Sequence, residues 1–440
     1  MRSIKKPIID SNILIYMSEK KEDIRIEINN EYLNIYEELA SYELESYERK
    51  IIIETYSSFR MNLEETESEG IEFTEIEESY TSSYNYSPEE VEFTEKPFSL
   101  ITLYNYMTGF DYTEEPTIDM SPEFQRNYVW SKKQKSSLIE SILLNIPIPS
   151  IYLNTSEDKK YIPADGLQRL NTVYEFMSGK LKLVELEHLK NLEGATYKSS
   201  DKTLSQKQYR HFRDYTINTF IISPKTPNAV KLDVFRRLNT TGTKLNSQEI
   251  RNSVTHTNIR KLYKEIEKNE YFQKLIVNSV NTNRFVHHEM ILRFFGAYFS
   301  QVTKELEYKG KMNLFLDEAL EYMTKNSQET IDICYKFYQV LQKSNKLFDT
   351  QSFRKPPKGN GEKKRRSPIN TLLYTQILII LLDVPVNFNK NDGYMTNSFF
   401  EYLENEKDLL FAISSSTSNI KNIEIASKKI KRFFELKGDK

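Results

Sequence analysis

The chain has 440 residues, a formal net charge of −2, 28% charged and 38% hydrophobic residues, and one cysteine. That length suits two or three domains of roughly 150 residues each, with a sizeable buried core. A single cysteine, Cys334, excludes an internal disulfide framework and a cysteine-based zinc cluster; no basic-then-apolar segment opens the chain, and the longest apolar run, Ile377 to Leu382, is too short to span a bilayer. The setting these features predict is the reducing cytoplasm.

The small net charge hides an asymmetry. Residues 1–95 hold nine Lys/Arg against 24 Asp/Glu, a net of −15, which leaves +13 for the rest. A basic body suggests an anionic partner; the plainer alternative is that the acidic leader only solubilises.

Residues 1–60 read as an acidic, partly helical leader. Tyr32, Ile35, Tyr36 and Leu39 follow the i, i+3, i+4, i+7 spacing of one apolar helix face. Residues 61–96 read as a flexible linker: Met61 to Glu95 contains twelve Glu and no Lys or Arg, and it lacks apolar periodicity. An alternative is that this stretch mimics DNA charge and shields a basic groove.

Residues 97–250 read as an α+β or α/β domain. Ser131 to Gln134 has capping-box spacing and opens a helix with Leu138, Ile139, Ile142 and Leu143 on one face; Pro147 ends it. Ile148 to Leu153 and Lys160 to Ala164 read as strands. Asp165-Gly166 then turns into a helix whose core face is Leu167, Leu170, Val173, Tyr174 and Met177, with Gly179 as its stop. A third strand lies near Tyr215 to Ile222. The next helix carries Val230, Val234 and Leu238, and Asn246 to Glu249 repeats the capping-box spacing. Residues 251–440 read as an all-helical region interrupted by a Pro/Gly/Lys/Arg-rich loop, 354–367. Cys334 reads as a buried helix position.

Three segments combine charge, amide or hydroxyl groups with a turn or helix start: Glu123 to Arg126, Asp165 to Arg169, and Arg236 to Thr243. Helix N-termini offer free N–H groups and a positive dipole end to phosphate, and Arg can bind phosphate oxygens bidentately. The structural alternative is that Asp165 and Gln168, three apart, cap the helix reciprocally, and that Asn239 and Gly242 supply turn geometry.

At these residues the sequence resembles a known family. The runs PEFQRNYVWSKKQKSSLIESILLNIPIPSIYL, YIPADGLQRLNTVYEFMSGKLKL and FRRLNTTGTKLNSQEIRNS look like the DGQQR-motif domain, the N-terminal part of GmrSD-type and SspE-type restriction proteins of phage defence. Further likeness, including NRFVHHEMILRFFGAYF, extends it in order over roughly 97–437. The resemblance implies a ParB/sulfiredoxin-like fold, binding of an NTP (ATP or GTP, with Mg), and NTP hydrolysis coupled to DNA restriction. Its motif maps onto Asp165, Gly166, Gln168 and Arg169, its FQR segment onto Phe124, Gln125 and Arg126, and its later turn onto Asn239, Thr241 and Gly242. Asp165 would position metal or water, Arg126 and Arg169 would contact phosphates, and Gln168 would orient the γ-phosphate or base.

Two departures matter. The motif's first glutamine is Leu167 here, which can neither donate nor accept a hydrogen bond; this bears on catalysis more than on binding. The C-terminal HNH nuclease of restriction relatives has no counterpart among His188, His211, His256, His287 and His288. Adjacent His287 and His288 point about 100° apart on a helix, which makes them poor joint metal ligands, so they read as helix surface and core and no histidine metal site is expected. No Walker-type loop or nucleophile elbow occurs.

Outside the resemblance, the 354–367 loop sets seven basic residues against one acid, Glu362. Arg354, Lys355, Lys363, Lys364, Arg365 and Arg366 are candidate DNA contacts of the salt-dependent, sequence-independent kind; a solvated loop is the alternative. Trp130 could stack a base or pack at a helix entry. Three functions stand: an NTPase controlling DNA binding or an effector protein, a non-catalytic nucleotide or DNA module that recruits a nuclease, and a ParB-like DNA nickase. No membrane partner is expected, and oligomers are compatible with each.

Overall fold

The computed structural model describes residues 8–10, 13–17, 23–27, 35–42, 44–45, 47–53, 55–56, 92–110, 115–120, 130–156, 159–197, 202–238, 246–357, 367–415 and 417–438. The chain forms two compact units. One comprises Ser82–Arg260 with Asn283–Phe285; the other comprises Met1–Thr81, Lys261–Thr282 and Val286–Lys440.

The leader contains a sheet that its acidic composition conceals. Strands β1 (Ile8–Asp10), β2 (Ile13–Met17) and β3 (Asp23–Glu27) pair antiparallel in sequence order. Leu14, Tyr16, Ile24 and Ile26 alternate along β2 and β3, and they form a small core with Ile35, Leu39, Ile52 and Tyr56, as period-two burial requires. The partly helical reading of 1–60 is met in part by Ile35–Glu38 with the 3-10 turn Leu39–Ser41, and by residues 47–53. Tyr32 and most of the 61–96 stretch lie outside the described residues. The end of that stretch is not linker: Phe93 to Glu95 begin a strand.

That strand, β4 (Phe93–Ser99), joins β5 (Ile151–Thr155), β6 (Tyr161–Asp165) and β7 (Thr216–Ile222) in a four-stranded sheet ordered β4-β7-β5-β6. β4 runs antiparallel to β7, β7 parallel to β5, and β5 antiparallel to β6. The unit is therefore α+β with a mixed sheet. β6 is an edge strand, which accommodates Pro163, a residue without an N–H to donate.

Helices Leu100–Thr108, Lys132–Leu143, Leu167–Met177 and Gln206–Asp214 share one apolar cluster with β5 and β7, built on Leu103, Ile139, Leu153, Phe176 and Phe212. Trp130 is half-buried against it. Both expected capping boxes, Ser131/Gln134 and Asn246/Glu249, are formed, and Ser205/Gln208 makes a third.

The helical unit includes Val286–Gln301, Met312–Lys325, Ser327–Phe348, Thr371–Ile380 and Ile420–Gly438. Its core is aromatic; Phe294 and Phe337 stack with ring centroids 4.4 Å apart. Gly296 permits close helix approach, since a Cβ there would lie 2.9 Å from Phe315 Cε1. Cys334 is buried, and burial pushes its thiol up to about 12. His287 and His288 are both buried, which corrects the surface part of their sequence reading. Among the described residues no helix is long and apolar enough to cross a membrane.

Candidate functional site

Asp165 is the last residue of edge strand β6, opposite Tyr152 of β5, where the pairing register shifts between Tyr152 and Leu153. Such irregularities re-aim side chains at strand ends. Gly166 follows at φ +92°, and a Cβ there would meet Ile151 Cγ1 at 2.9 Å and Arg169 Nη2 at 3.4 Å. The position therefore needs glycine twice over, for its left-handed backbone and for its close approach to β5.

The helix Leu167–Met177 starts at once. It is seated by burial of Leu170, Val173, Phe176 and Met177. At roughly 1.5–3 kcal/mol for each large apolar side chain, this outweighs the ~1 kcal/mol of an N-cap. The helix indeed has no side-chain cap, so the reciprocal Asp165/Gln168 capping considered from sequence is not formed. Gln168 Oε1 instead accepts the Trp130 N–H at 3.4 Å. The consequence is a helix that starts on Gly166, which has no side chain to cap it, beside an aspartate whose side chain is 47% exposed.

Arg169 points back beneath the turn and is 9% exposed. Its Nη2 donates to Asp165 Oδ2 at 2.7 Å, and its Nη1 donates to the Ser150 carbonyl at 3.1 Å and to the Pro149 carbonyl. One guanidinium thus fixes the acid and the chain entering β5. Half exposure of Asp165 keeps the pair's net stabilisation modest; its effect is orientation. Leu167 is half-buried at the first helical position.

Further contacts hold the motif helix. Lys135 Nζ lies 2.7 and 2.6 Å from the two carboxylate oxygens of Glu175, and Asn171 Nδ2 donates to Glu175 Oε1 at 3.0 Å. On the helix Lys132–Leu143, Glu140 accepts the N–H groups of Glu187, His188 and Leu189 at 3.0, 2.7 and 2.7 Å. Burial raises the Glu140 pKa, but those donors and His188 outweigh it and hold the carboxyl below its ordinary value.

The helix Ser247–Val254 backs β6: Ile250 and Val254 pack with Ala164, the residue before Asp165. Its polar side chains were missed from sequence. Gln248, Arg251 and Asn252 are all buried; Gln248 Nε2 donates to Asn252 Oδ1 at 2.9 Å, and Arg251 Nη1 to Gln248 Oε1 at 3.4 Å. Arg260 then donates to the carbonyls of Thr255 and Asn252 at 2.9 and 3.1 Å. A signal was available, since a short capped helix whose apolar side chains are only Ile250 and Val254 must either leave its other faces solvated or bury a hydrogen-bonded set on them.

The structure brings Asp165, Gly166, Gln168 and Arg169 into one turn. Gln125 and Arg126, and Asn239, Thr241 and Gly242, lie outside the described residues. So do Lys363, Lys364, Arg365 and Arg366. Arg354 and Lys355, in the helical unit, are described and turn inward. Arg354 is 3% exposed, and it donates to the carbonyls of Thr350, at 3.3 Å, and Ser367. Lys355 Nζ donates to Ser414 Oγ at 2.9 Å. Arg354 thus ties the two ends of the basic loop together.

Residues 110–256 match the family described as GmrSD restriction endonuclease, N-terminal domain. No curated protein and no solved structure matches the chain. The match leaves β4 and the segment beyond 256 outside, yet it contains β5, β6 and β7, the Asp165–Arg169 turn and the helix Ser247–Val254. Residues 110–256 are thus similar to a GmrSD-type N-terminal domain.

Proposed function

We propose that this chain is a cytoplasmic, restriction-type phage-defence protein that binds and hydrolyses an NTP, ATP or GTP, to control its grip on DNA or on an effector protein. In this reading the mixed sheet and its helices are a ParB/sulfiredoxin-like scaffold. The observation that carries it is the Asp165–Arg169 turn: a half-exposed carboxylate, held by a buried arginine, beside a helix that starts on Gly166. The N-terminus of a helix suits phosphate oxygens, and a lone carboxylate suits a Mg ion that keeps most of its waters. An aspartate alone would repel phosphate, so the metal and Arg126 supply the compensating charge. Gln168 orients the γ-phosphate or base, Gln125 faces the phosphates, and Asn239 to Thr243, with Thr241 and Gly242, close over the nucleotide. Arg169 serves here as the residue that orients Asp165. Lys363 to Arg366 supply the DNA contacts.

Leu167 favours a second reading, a nucleotide or DNA module without hydrolysis that recruits a nuclease. A panel of nucleotides, with and without DNA, read for both binding and phosphate release, separates the two. The first reading expects release by wild type and loss in Asp165→Ala. Background release by both proteins with binding retained would establish the second reading, and absence of binding would end both.

A further inference from the structure

Apart from the motif turn, one set of side chains in the helical unit converges as ligands do. Glu267 is the last residue of the helix Thr257–Glu267, and His287 and His288 stand in the first turn of the helix Val286–Gln301. His287 Nε2 lies 2.9 Å and His288 Nε2 2.7 Å from the same oxygen, Glu267 Oε1. One donor atom from each residue falls within 4.8 Å of the other two. The expectation that adjacent helical histidines diverge fails for a geometric reason. Helical side chains lean toward the N-terminal end, and in a first turn two imidazoles can both reach a carboxylate beyond that end. Their ring centroids are 4.3 Å apart, and Tyr263 packs on His288 at 4.7 Å.

We propose that Glu267, His287 and His288 bind a divalent transition-metal ion of the zinc class through the two Nε2 atoms and a Glu267 carboxylate oxygen. Two imidazoles and one carboxylate are a ligand set that zinc takes with a water in the fourth position. Imidazole donors favour zinc, copper or nickel over magnesium and calcium. Metal–ligand bonds of about 2.0–2.1 Å set tetrahedral donors roughly 3.3 Å apart, so the two short contacts need open by only about half an ångström. His287 and His288 are 6% and 1% exposed, which pre-orders both nitrogens, while the Glu267 side chain is 32% exposed and leaves an entry path. Binding requires that each imidazole carry its proton on Nδ1, which leaves Nε2 to the metal.

The full chain, stripped with a chelator, is titrated with Zn2+ and then with Co2+, whose visible absorption reports a four-coordinate site. The expected result is one ion per chain and a raised melting temperature, with affinity at least tenfold weaker in Glu267→Gln. That variant keeps the side chain's shape at a partly exposed position, so it tests ligation in a folded protein; His287→Gln gives an independent second case. Asp165→Asn should bind the ion as wild type does, which separates this site from the motif turn. Absence of binding at micromolar zinc, equal affinity in Glu267→Gln and His287→Gln, or loss of binding in Asp165→Asn would each overturn the proposal.

Discussion

Arg169 and Arg354 begin alike in the sequence and end differently in the structure. Each stands in a short charged segment, each reads as a phosphate contact, and each guanidinium is buried against backbone carbonyls. Arg169 also grips Asp165, whose carboxylate stays half exposed at the end of an edge strand. The bonds of Arg354 run to Thr350 and Ser367, and so close the neck of a loop. The comparison teaches that a motif arginine is not automatically a ligand-binding one. What separates the two regions is the group each arginine leaves facing solvent, a positioned acid in one case and a loop in the other.

The largest expected effect is at Gly166. Gly166→Ala adds a left-handed penalty of about 1–2 kcal/mol and crowding against Ile151 of about 1–3 kcal/mol. Denaturant unfolding should show a loss of about 2–5 kcal/mol, together with lost nucleotide binding. A neutral substitution would mean that the turn is plastic, and that its acid is not held in place.

Next comes the direct test of the two arginines. Removing one partner of a fully buried ion pair costs about 3–5 kcal/mol; Asp165 can rehydrate, so Arg169→Met should cost about 2 kcal/mol. Arg169→Lys should not restore it, because an ammonium cannot reproduce the planar fork. Arg354→Met should cost about 1–2 kcal/mol through the carbonyls it leaves unmet. The sharper readout is function: nucleotide binding should fall in Arg169→Met and stay unchanged in Arg354→Met. Equal nucleotide effects would erase the distinction drawn here.

The same pairs of regions show what was legible in the sequence. The helix starts at Ser131 and Asn246 were readable because capping is local chemistry, and β5, β6 and β7 because buried strands are apolar runs. β4 was not: it is an edge strand with exposed residues from Phe93 to Pro97, and it follows a glutamate-rich stretch, so it reads as more linker. β1 to β3 carried a period-two signal beneath an acidic composition. At the motif, Asp165 and Gly166 were legible as a turn. The inward direction of Arg169 was not, because it depends on carbonyls of Pro149 and Ser150, about twenty residues upstream. Arg354 and the Glu267–His287–His288 cluster were hidden likewise, since each is defined by partners distant in sequence.

The smallest stability effect, and the most telling chemical one, belongs to Leu167→Gln. Leu and Gln have similar helix propensities, and Leu167 is half-buried at the first helical position, so stability should change by about 0.5 kcal/mol or less. The substitution places an amide donor and acceptor beside Asp165, where leucine offers neither. If the turn carries NTP chemistry, phosphate release should rise several-fold while nucleotide affinity changes little, because binding rests on groups that are already present. Arg354 supplies the control, for the same assay in Arg354→Met should match wild type. An unchanged rate in Leu167→Gln would assign the turn to binding alone and leave Asp165 as an orienting anchor, which would bring it closer to the loop-closing role of Arg354.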